Sequence, residues 1–122
     1  MRRYFAVFRL ETLAEFRELL APDAVLGLIA VQPGALLRGR DEIIAFLEQE
    51  FGRRLWETVV HVCTPLDESR ALVEGRVRWI DDDHVMRDEA RFWGVEFSDG
   101  LLLRSLPARS AVEAETLIAA ER

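Results

Sequence analysis

Several residue types are scarce or missing in this chain of 122 residues, and their absence excludes whole classes of chemistry. There is no lysine, because all 16 basic residues are arginine, so neither Schiff-base catalysis by lysine nor a lysine-containing P-loop is available. The lone Cys63 cannot form an internal disulfide, which is compatible with a cytoplasmic location. No apolar run approaches the roughly 20 residues that a bilayer-spanning helix needs. We therefore expect a cytoplasmic protein that does not enter the membrane.

The charge balance argues against a nucleic-acid partner. The formal net charge is −6 at pH 7, so a phosphate backbone would be repelled on average. The arginines form no cluster larger than pairs such as Arg53 and Arg54. Half of the residues are hydrophobic and 31% are charged, which is typical of a globular protein. The length suits one domain over residues 1–122 with a single core.

The first half of the chain is predicted to hold three helices. Residues 2–9 place their apolar side chains at spacings that a short helix uses. Thr12 and Glu15 form a capping box that begins a second helix, and we expect Pro22 to end it. A third helix carries acidic residues in its first turn, where they favour the helix dipole, and is expected to end at Gly52.

The second half is predicted to be mainly β. Residues 85–107 form a long antiparallel hairpin whose turn is at residues 98–100, while Gly75 and Gly94 are expected to be bulge or bend points. Ser110 begins a capping box and a final helix. These elements predict an α+β fold in which a cone-shaped, strongly curved mixed or antiparallel sheet wraps around the N-terminal helices, with a C-terminal helix. The other predicted strands are residues 24–31, 35–38, 56–64 and 70–80.

Four stretches of the sequence carry a resemblance to a known family. They are RRYFAVFRLETLAEFRELLAPDAVL at the start, GRDEIIAFL from Gly39, WGVEFSDGLLLRS from Trp93 and SAVEAETL from Ser110. Together they resemble the nuclear transport factor 2-like superfamily, and within it the SnoaL-like and ketosteroid-isomerase-like branch. The resemblance implies the cone fold, but not one activity, because this cone hosts isomerases, cyclases, epoxide hydrolases and ligand-binding or assembly modules.

The resemblance also lets the catalytic positions of the family be compared with this chain. Tyr4 matches the oxyanion-hole tyrosine of ketosteroid isomerases. The position of their general-base aspartate falls near Leu28, and that of their second oxyanion donor falls near Trp93. The aspartate of limonene-type epoxide hydrolases falls near Pro107. Neither mechanism is therefore expected here.

Three charged residues of the long strand form the best candidate for chemistry. Arg87, Glu89 and Arg91 share one parity with Trp93, so they approach the mouth of the cone if Trp93 points inward. Arg91 and Arg87 would then clamp a carboxylate or enolate, and Glu89 would act as a base. Tyr4 would donate to the same developing charge. The alternatives are a self-compensating ladder on an exposed strand end and, for Tyr4, an ordinary core position.

The two histidines are weaker candidates. His61 lies two residues from Cys63, so an unbroken strand would turn both to one face, with His61 as an acid or base. The alternatives are a packed strand histidine and a small buried thiol. His84 follows three aspartates, but no zinc or EF-hand spacing is present, so a solvated turn without metal is expected. We expect no cofactor.

Aromatic residues and the second face of the long strand suggest two kinds of partner. Trp79, Trp93 and Phe16 could line a pocket for a small apolar or aromatic ligand, or fill a core. The opposite parity of the strand needs its own cover, for which a second copy of the chain is the expected partner. It carries Met86, Ala90, Phe92 and Gly94.

These observations leave three functions open. The first is a homodimeric cone that binds a small, largely apolar molecule with one oxygen function, contacted by Tyr4 and Arg91. The second is an isomerase or cyclase that moves a proton next to a carbonyl, with Glu89 or His61 as base. The third is a protein-interaction module with a filled core.

Overall fold

A computed structural model of the chain describes residues 13–27, 36–53 and 56–119. The predicted helix over residues 2–9, with Tyr4, and the Thr12 cap lie outside the described residues. Within the described ranges, no helix is long and apolar enough to cross a membrane. The elements are, in chain order, α1 (Leu13–Glu18), β1 (Leu20–Gly27), β2 (Leu36–Arg38), α2 (Arg40–Arg53), β3 (Trp56–Pro65), β4 (Arg70–Ile80), β5 (Met86–Ser98), β6 (Leu101–Ala108) and α3 (Ala111–Ala119).

The six strands form one curved sheet in the order β2-β1-β6-β5-β4-β3. β1 pairs with β6 in parallel, and the other neighbouring pairs are antiparallel. The predicted α+β fold with a mixed sheet and a C-terminal helix is therefore confirmed. The parallel pair joins strands from opposite ends of the chain, which leaves the short β2 and the long β3 as the two edges.

The predicted hairpin is confirmed, because β5 ends at Ser98 and β6 begins at Leu101. Between them, Asp99 and Gly100 have φ angles of 53° and 80°. Two-residue hairpin turns require this left-handed region, which glycine adopts without strain and aspartate tolerates better than most residues. This turn therefore joins β5 and β6, the two strands in the middle of the sheet.

One hydrophobic core lies between the sheet and the two N-terminal helices, on what we call the inner face. α1 contributes Leu13 and Phe16, and α2 contributes Ile43 and Leu47. Burying each such side chain stabilises the fold by about 1.5–3 kcal/mol. The sheet contributes Leu20, Ala24, Leu26, Ala71, Val73, Val77, Trp79, Trp93, Val95 and Leu102.

The last helix, α3, packs on the opposite, outer face of the sheet. A Cβ atom on Gly94 would lie 2.6 Å from the carbonyl oxygen of Ala114 and 2.8 Å from the Cβ of Ile118. Gly94 is therefore a close-packing position under α3. The expectation of a bulge at Gly94 is wrong, because Gly94 pairs in register with Leu72 on β4 and with Leu106 on β6. α3 also covers part of the face for which a second copy was expected.

Two predicted helix ends are wrong. α1 ends at Glu18 and β1 begins at Leu20, so Pro22 lies inside a strand. Proline is tolerated there because the β1–β6 register shifts across this segment, and a missing backbone N–H costs least at such an irregularity. α2 continues past Gly52 to Arg53. Glycine in a last helical turn costs only about 1 kcal/mol relative to alanine, which the rest of a 14-residue helix can outweigh.

The predicted irregularity at Gly75 is confirmed as a bulge in the neighbouring strand. The β3–β4 register shifts between Val60 and Val62, so His61 is the extra residue opposite Gly75. A Cβ atom on Gly75 would lie 2.0 Å from the carbonyl oxygen of Val59. Only glycine therefore allows the bulged edge strand to come this close to β4.

Candidate functional site

The register of β4 and β5 assigns the candidate residues to the inner face. Trp93 pairs with Val73, a core residue, and Arg91 pairs with Gly75. Paired residues of antiparallel strands project to the same face, and alternate residues of one strand do so too. Arg91 therefore projects to the inner face beside Trp93, as the strand parity predicted, and Gly75 places no side chain next to it on β4.

Arg91 is the most unusual residue of the inner face, because its charge is buried. Its side chain is only 5% exposed, and its Nη2 lies 3.0 Å from Oε1 of Glu89. The Nε atom is buried and has no hydrogen-bond partner among the residues that the structure describes. A buried donor without a partner costs about 1–3 kcal/mol, and more when the group is charged. Such a group can donate to an acceptor that the described part of the chain does not supply.

Glu89 is placed differently from the arginine that it contacts. Its side chain is 49% exposed, so water reaches the carboxylate directly. It pairs in register with Val77 on the inner face and lies towards the open end of β5, in a run of exposed residues. The carboxylate therefore sits at the rim, where it balances the charge of Arg91 without being enclosed.

Arg87 belongs to the turn at the end of the strand. Its Nε donates to Oδ2 of Asp81 at 2.7 Å, and its side chain is about half-exposed. The pKa of Asp81 is lowered, first by the backbone N–H of Val85 and then by Arg87, and Asp81 in turn raises the pKa of Arg87. His84 is exposed with φ of 64°, as fits the predicted solvated turn.

His61 and Cys63 are placed differently from each other. His61 is exposed at the bulge, where the strict alternation that the sequence argument assumed is interrupted. Cys63 is half-buried and pairs with Val73 on the inner face. No hydrogen bond joins the two side chains in the part of the chain that the structure describes. Nor does any group of three His, Cys, Asp or Glu side chains in that part form a metal site.

The three aromatic candidates do come together. Phe16, Trp79 and Trp93 are all buried in the single core cluster, on α1, β4 and β5 respectively. Trp93 lies two residues from Arg91 on β5, whereas Trp79 pairs with Arg87, four residues along β4 from the partner of Arg91. The structure thus brings Arg91 and Glu89 into contact, with Trp93 beside Arg91 on the same strand face, and leaves Arg87 and His61 at exposed positions.

The structure also reveals a charged group that the sequence analysis missed. On the outer face, Arg104 Nε donates to Glu96 Oε1 at 2.8 Å, and both side chains are buried. Arg104 Nη2 also donates to the carbonyl oxygen of Ile118, near the end of α3, at 2.8 Å. Arg70 Nε lies 3.5 Å from Glu96 Oε2. The sequence does show Glu96 and Arg104 within an otherwise apolar hairpin. The alternation of residues along a strand, however, does not predict that α3 covers these two side chains.

A groove of about 350 Å³ lies beside this charged group, between α3 and the β3–β4 loop. It is on the outer face, away from Arg91. The residues that line it are Leu66, Asp67, Arg70, Glu115, Thr116, Ile118 and Ala119.

Comparison with known proteins gives a fold but no close relative. No family model and no curated protein matches the sequence. Among solved structures, a protein of unknown function from Burkholderia pseudomallei, described as NTF2-like, superposes with a TM-score of 0.72 at 20% identity, covering 98% of this chain and 94% of that one. The chain has the nuclear transport factor 2-like fold. The resemblance inferred from the sequence is thereby confirmed at the level of the fold.

Two further solved structures that superpose on this chain have descriptions that mention a steroid. A Δ5-3-ketosteroid isomerase from Mycobacterium sp. has a TM-score of 0.73 at 12% identity, covering 93% of this chain and 91% of that one. A Mycobacterium tuberculosis protein in complex with estradiol-17β-hemisuccinate has a TM-score of 0.74 at 11% identity, covering 87% of each chain. At these identities the likeness concerns the fold alone.

Proposed function

We propose that this chain is a small-molecule-binding domain that holds a small, largely apolar ligand with one oxygen function against the inner face of its sheet. The observation that carries the proposal is the buried Arg91, whose Nε has no partner among the described residues. A core that needed only apolar packing would gain nothing from a buried guanidinium, whose desolvation is costly. Arg91 would donate to the oxygen of the ligand.

The surroundings of Arg91 favour an apolar body for this ligand. Trp93 and Trp79 would form the wall, because aromatic side chains offer large, rigid contact surfaces, and Phe16, which has no exposed surface, would support the core behind them. Tyr4 would donate to the same oxygen from the N-terminal segment. The fold is compatible with this use, since one structural neighbour was crystallised with a steroid conjugate.

The geometry favours binding over acid–base catalysis. An isomerase or cyclase needs a titratable group that is enclosed with its substrate. The two candidate bases, Glu89 and His61, are both exposed. The close contact of Glu89 with Arg91 instead favours a role in setting the charge around the ligand.

A homodimer would cover the part of the outer face that α3 leaves open. Val59, Val62 and Met86 are exposed there. Ion pairs lie among them, including Arg76 Nε to Asp88 Oδ1 at 2.9 Å. A surface with apolar residues and charges of both signs suits self-association through a twofold axis. Sedimentation equilibrium tests this: the dimer is rejected if the protein sediments as a monomer at micromolar concentrations.

A thermal-shift screen tests ligand binding. The purified protein is screened against planar phenols, steroids, terpenoids and fatty acids beside two variants, Arg91→Met and Arg76→Met. A ligand at a hundred times its dissociation constant adds about 2.7 kcal/mol, or several degrees. We expect hits that Arg91→Met loses and that Arg76→Met, on the outer face, retains. The absence of any shift, or hits that Arg91→Met retains in full, would contradict the proposal.

A further inference from the structure

The charges around Arg91 limit which kind of hydrogen-bond acceptor the ligand can present. Arg91 already has one carboxylate partner, Glu89, at 3.0 Å, so the buried positive charge is balanced within the site. The other basic residue of this end of the inner face, Arg87, is balanced by Asp81 at 2.7 Å. Among the described residues, the charges of these two arginines are thus paired, and the buried atom of the two that has no partner is Nε of Arg91.

From this balance we infer that the ligand presents a neutral acceptor to Arg91, namely a carbonyl oxygen, and that carboxylic acids are disfavoured. The inference rests on the proposed function and names its ligand class. An acid that accepted a hydrogen bond from Nε would lie within a few ångströms of the Glu89 carboxylate on the same guanidinium, so repulsion between the two carboxylates would offset the attraction of the acid to Arg91. Burying the acid would also require it to lose its hydration. A ketone meets neither obstacle.

The overall charge of the protein acts in the same direction. A formal charge of −6 lowers the local concentration of anions around the chain and therefore slows their entry. This long-range effect is largely screened by salt, whereas the repulsion by Glu89 at contact distance is screened much less. Salt therefore separates the two contributions.

A matched pair of compounds and a matched pair of variants test the inference. The compounds are 2-acetylnaphthalene and 2-naphthoate, which share a planar apolar body and differ in a methyl group against a negatively charged oxygen. The variants are Glu89→Gln and Asp88→Asn, which remove one negative charge from adjacent residues of β5. Glu89 touches Arg91, whereas Asp88 pairs with Arg76 on the outer face. Affinities are measured by isothermal titration calorimetry at low and at physiological salt.

We expect the wild type to bind the ketone about fivefold more tightly than the acid, because an interaction with a half-exposed carboxylate changes affinity by up to about this factor. Glu89→Gln should raise the affinity for the acid about fivefold and change that for the ketone less than twofold. Asp88→Asn should leave the ratio unchanged at physiological salt. Arg91→Met should weaken binding of the ketone and leave the preference against the acid in place, because the Glu89 carboxylate remains and loses its compensating charge.

Three results would overturn the inference. The first is an acid that binds the wild type as well as the ketone does. The second is an equal effect of Glu89→Gln and Asp88→Asn, which would reduce the preference to overall charge. The third is no binding of either compound, and together with an empty thermal-shift screen this would also reject the proposed function. The first result, which includes tighter binding of the acid than of the ketone, would reject the inferred ligand class but not the proposed binding site.

Discussion

Replacing Arg104 with methionine should destabilise the fold by about 3 kcal/mol, the lower end of the range for breaking a buried ion pair. Arg104 and Glu96 are each only 7% exposed, so the substitution leaves a buried carboxylate without its 2.8 Å contact. It also removes the donor to the Ile118 carbonyl, worth about 1 kcal/mol. Arg70, at 3.5 Å from Glu96, remains and limits the loss.

Urea unfolding followed by circular dichroism measures this loss. In a thermal melt followed by the same circular dichroism signal, the melting temperature should fall by about 12 °C, at roughly 4 °C per kcal/mol for a domain of this size. Arg76→Met is the control, because its partner pair is about half-exposed and should contribute less than about 1 kcal/mol. The double variant Glu96→Leu with Arg104→Met should recover most of the loss, since removing both charges removes the desolvation penalty. A loss below about 1 kcal/mol for Arg104→Met would refute the reasoning.

Three further predictions concern the backbone contacts and the turn. Gly94→Ala should cost about 1–3 kcal/mol, because its Cβ would meet Ile118 at 2.8 Å, and urea unfolding would show no loss if α3 did not pack here. Gly75→Ala should cost at least as much, since the 2.0 Å approach is to the backbone oxygen of Val59, and amide exchange in β3 should accelerate; unchanged exchange would argue against the bulge. The lowered pKa of Asp81 means that its contribution is present above the unfolded value of 3.8 and lost as pH falls through the folded value. The stability difference between wild type and Asp81→Asn should therefore be largest near neutral pH and shrink below about pH 4 in urea unfolding; a constant difference would contradict this.

The parts of the fold that could be predicted from the sequence are those with a local cause. The turn at Asp99 and Gly100 follows from residues that tolerate positive φ, and β4 follows from strict alternation. Gly75 was recognised as an irregular position because glycine inside a strand usually marks a bulge or a close approach. In each case the deciding interaction lies within a few residues or across one turn.

The parts that failed depend on distant pairing. Leu20 continues the apolar spacing of α1, yet it belongs to β1 because it pairs with Leu102 on β6. Gly94 and Glu96 lie on a strand face whose cover, α3, comes from later in the chain. For the same reason, only part of the candidate site could be predicted from the sequence. Parity assigned Arg91 and Trp93 to one face, but only the packed fold distinguishes the buried Arg91 from the exposed Glu89.

The central claim is that Arg91 Nε donates a hydrogen bond to the ligand, and the most direct measurement is its ¹H–¹⁵N NMR signal during titration. The Nε–H signal is identified as the one that disappears in Arg91→Lys. Titration with 2-acetylnaphthalene should move this signal progressively and leave that of Arg76 unchanged, because only the first faces the site. A ligand that binds by calorimetry while the Arg91 signal stays fixed would contradict the claim.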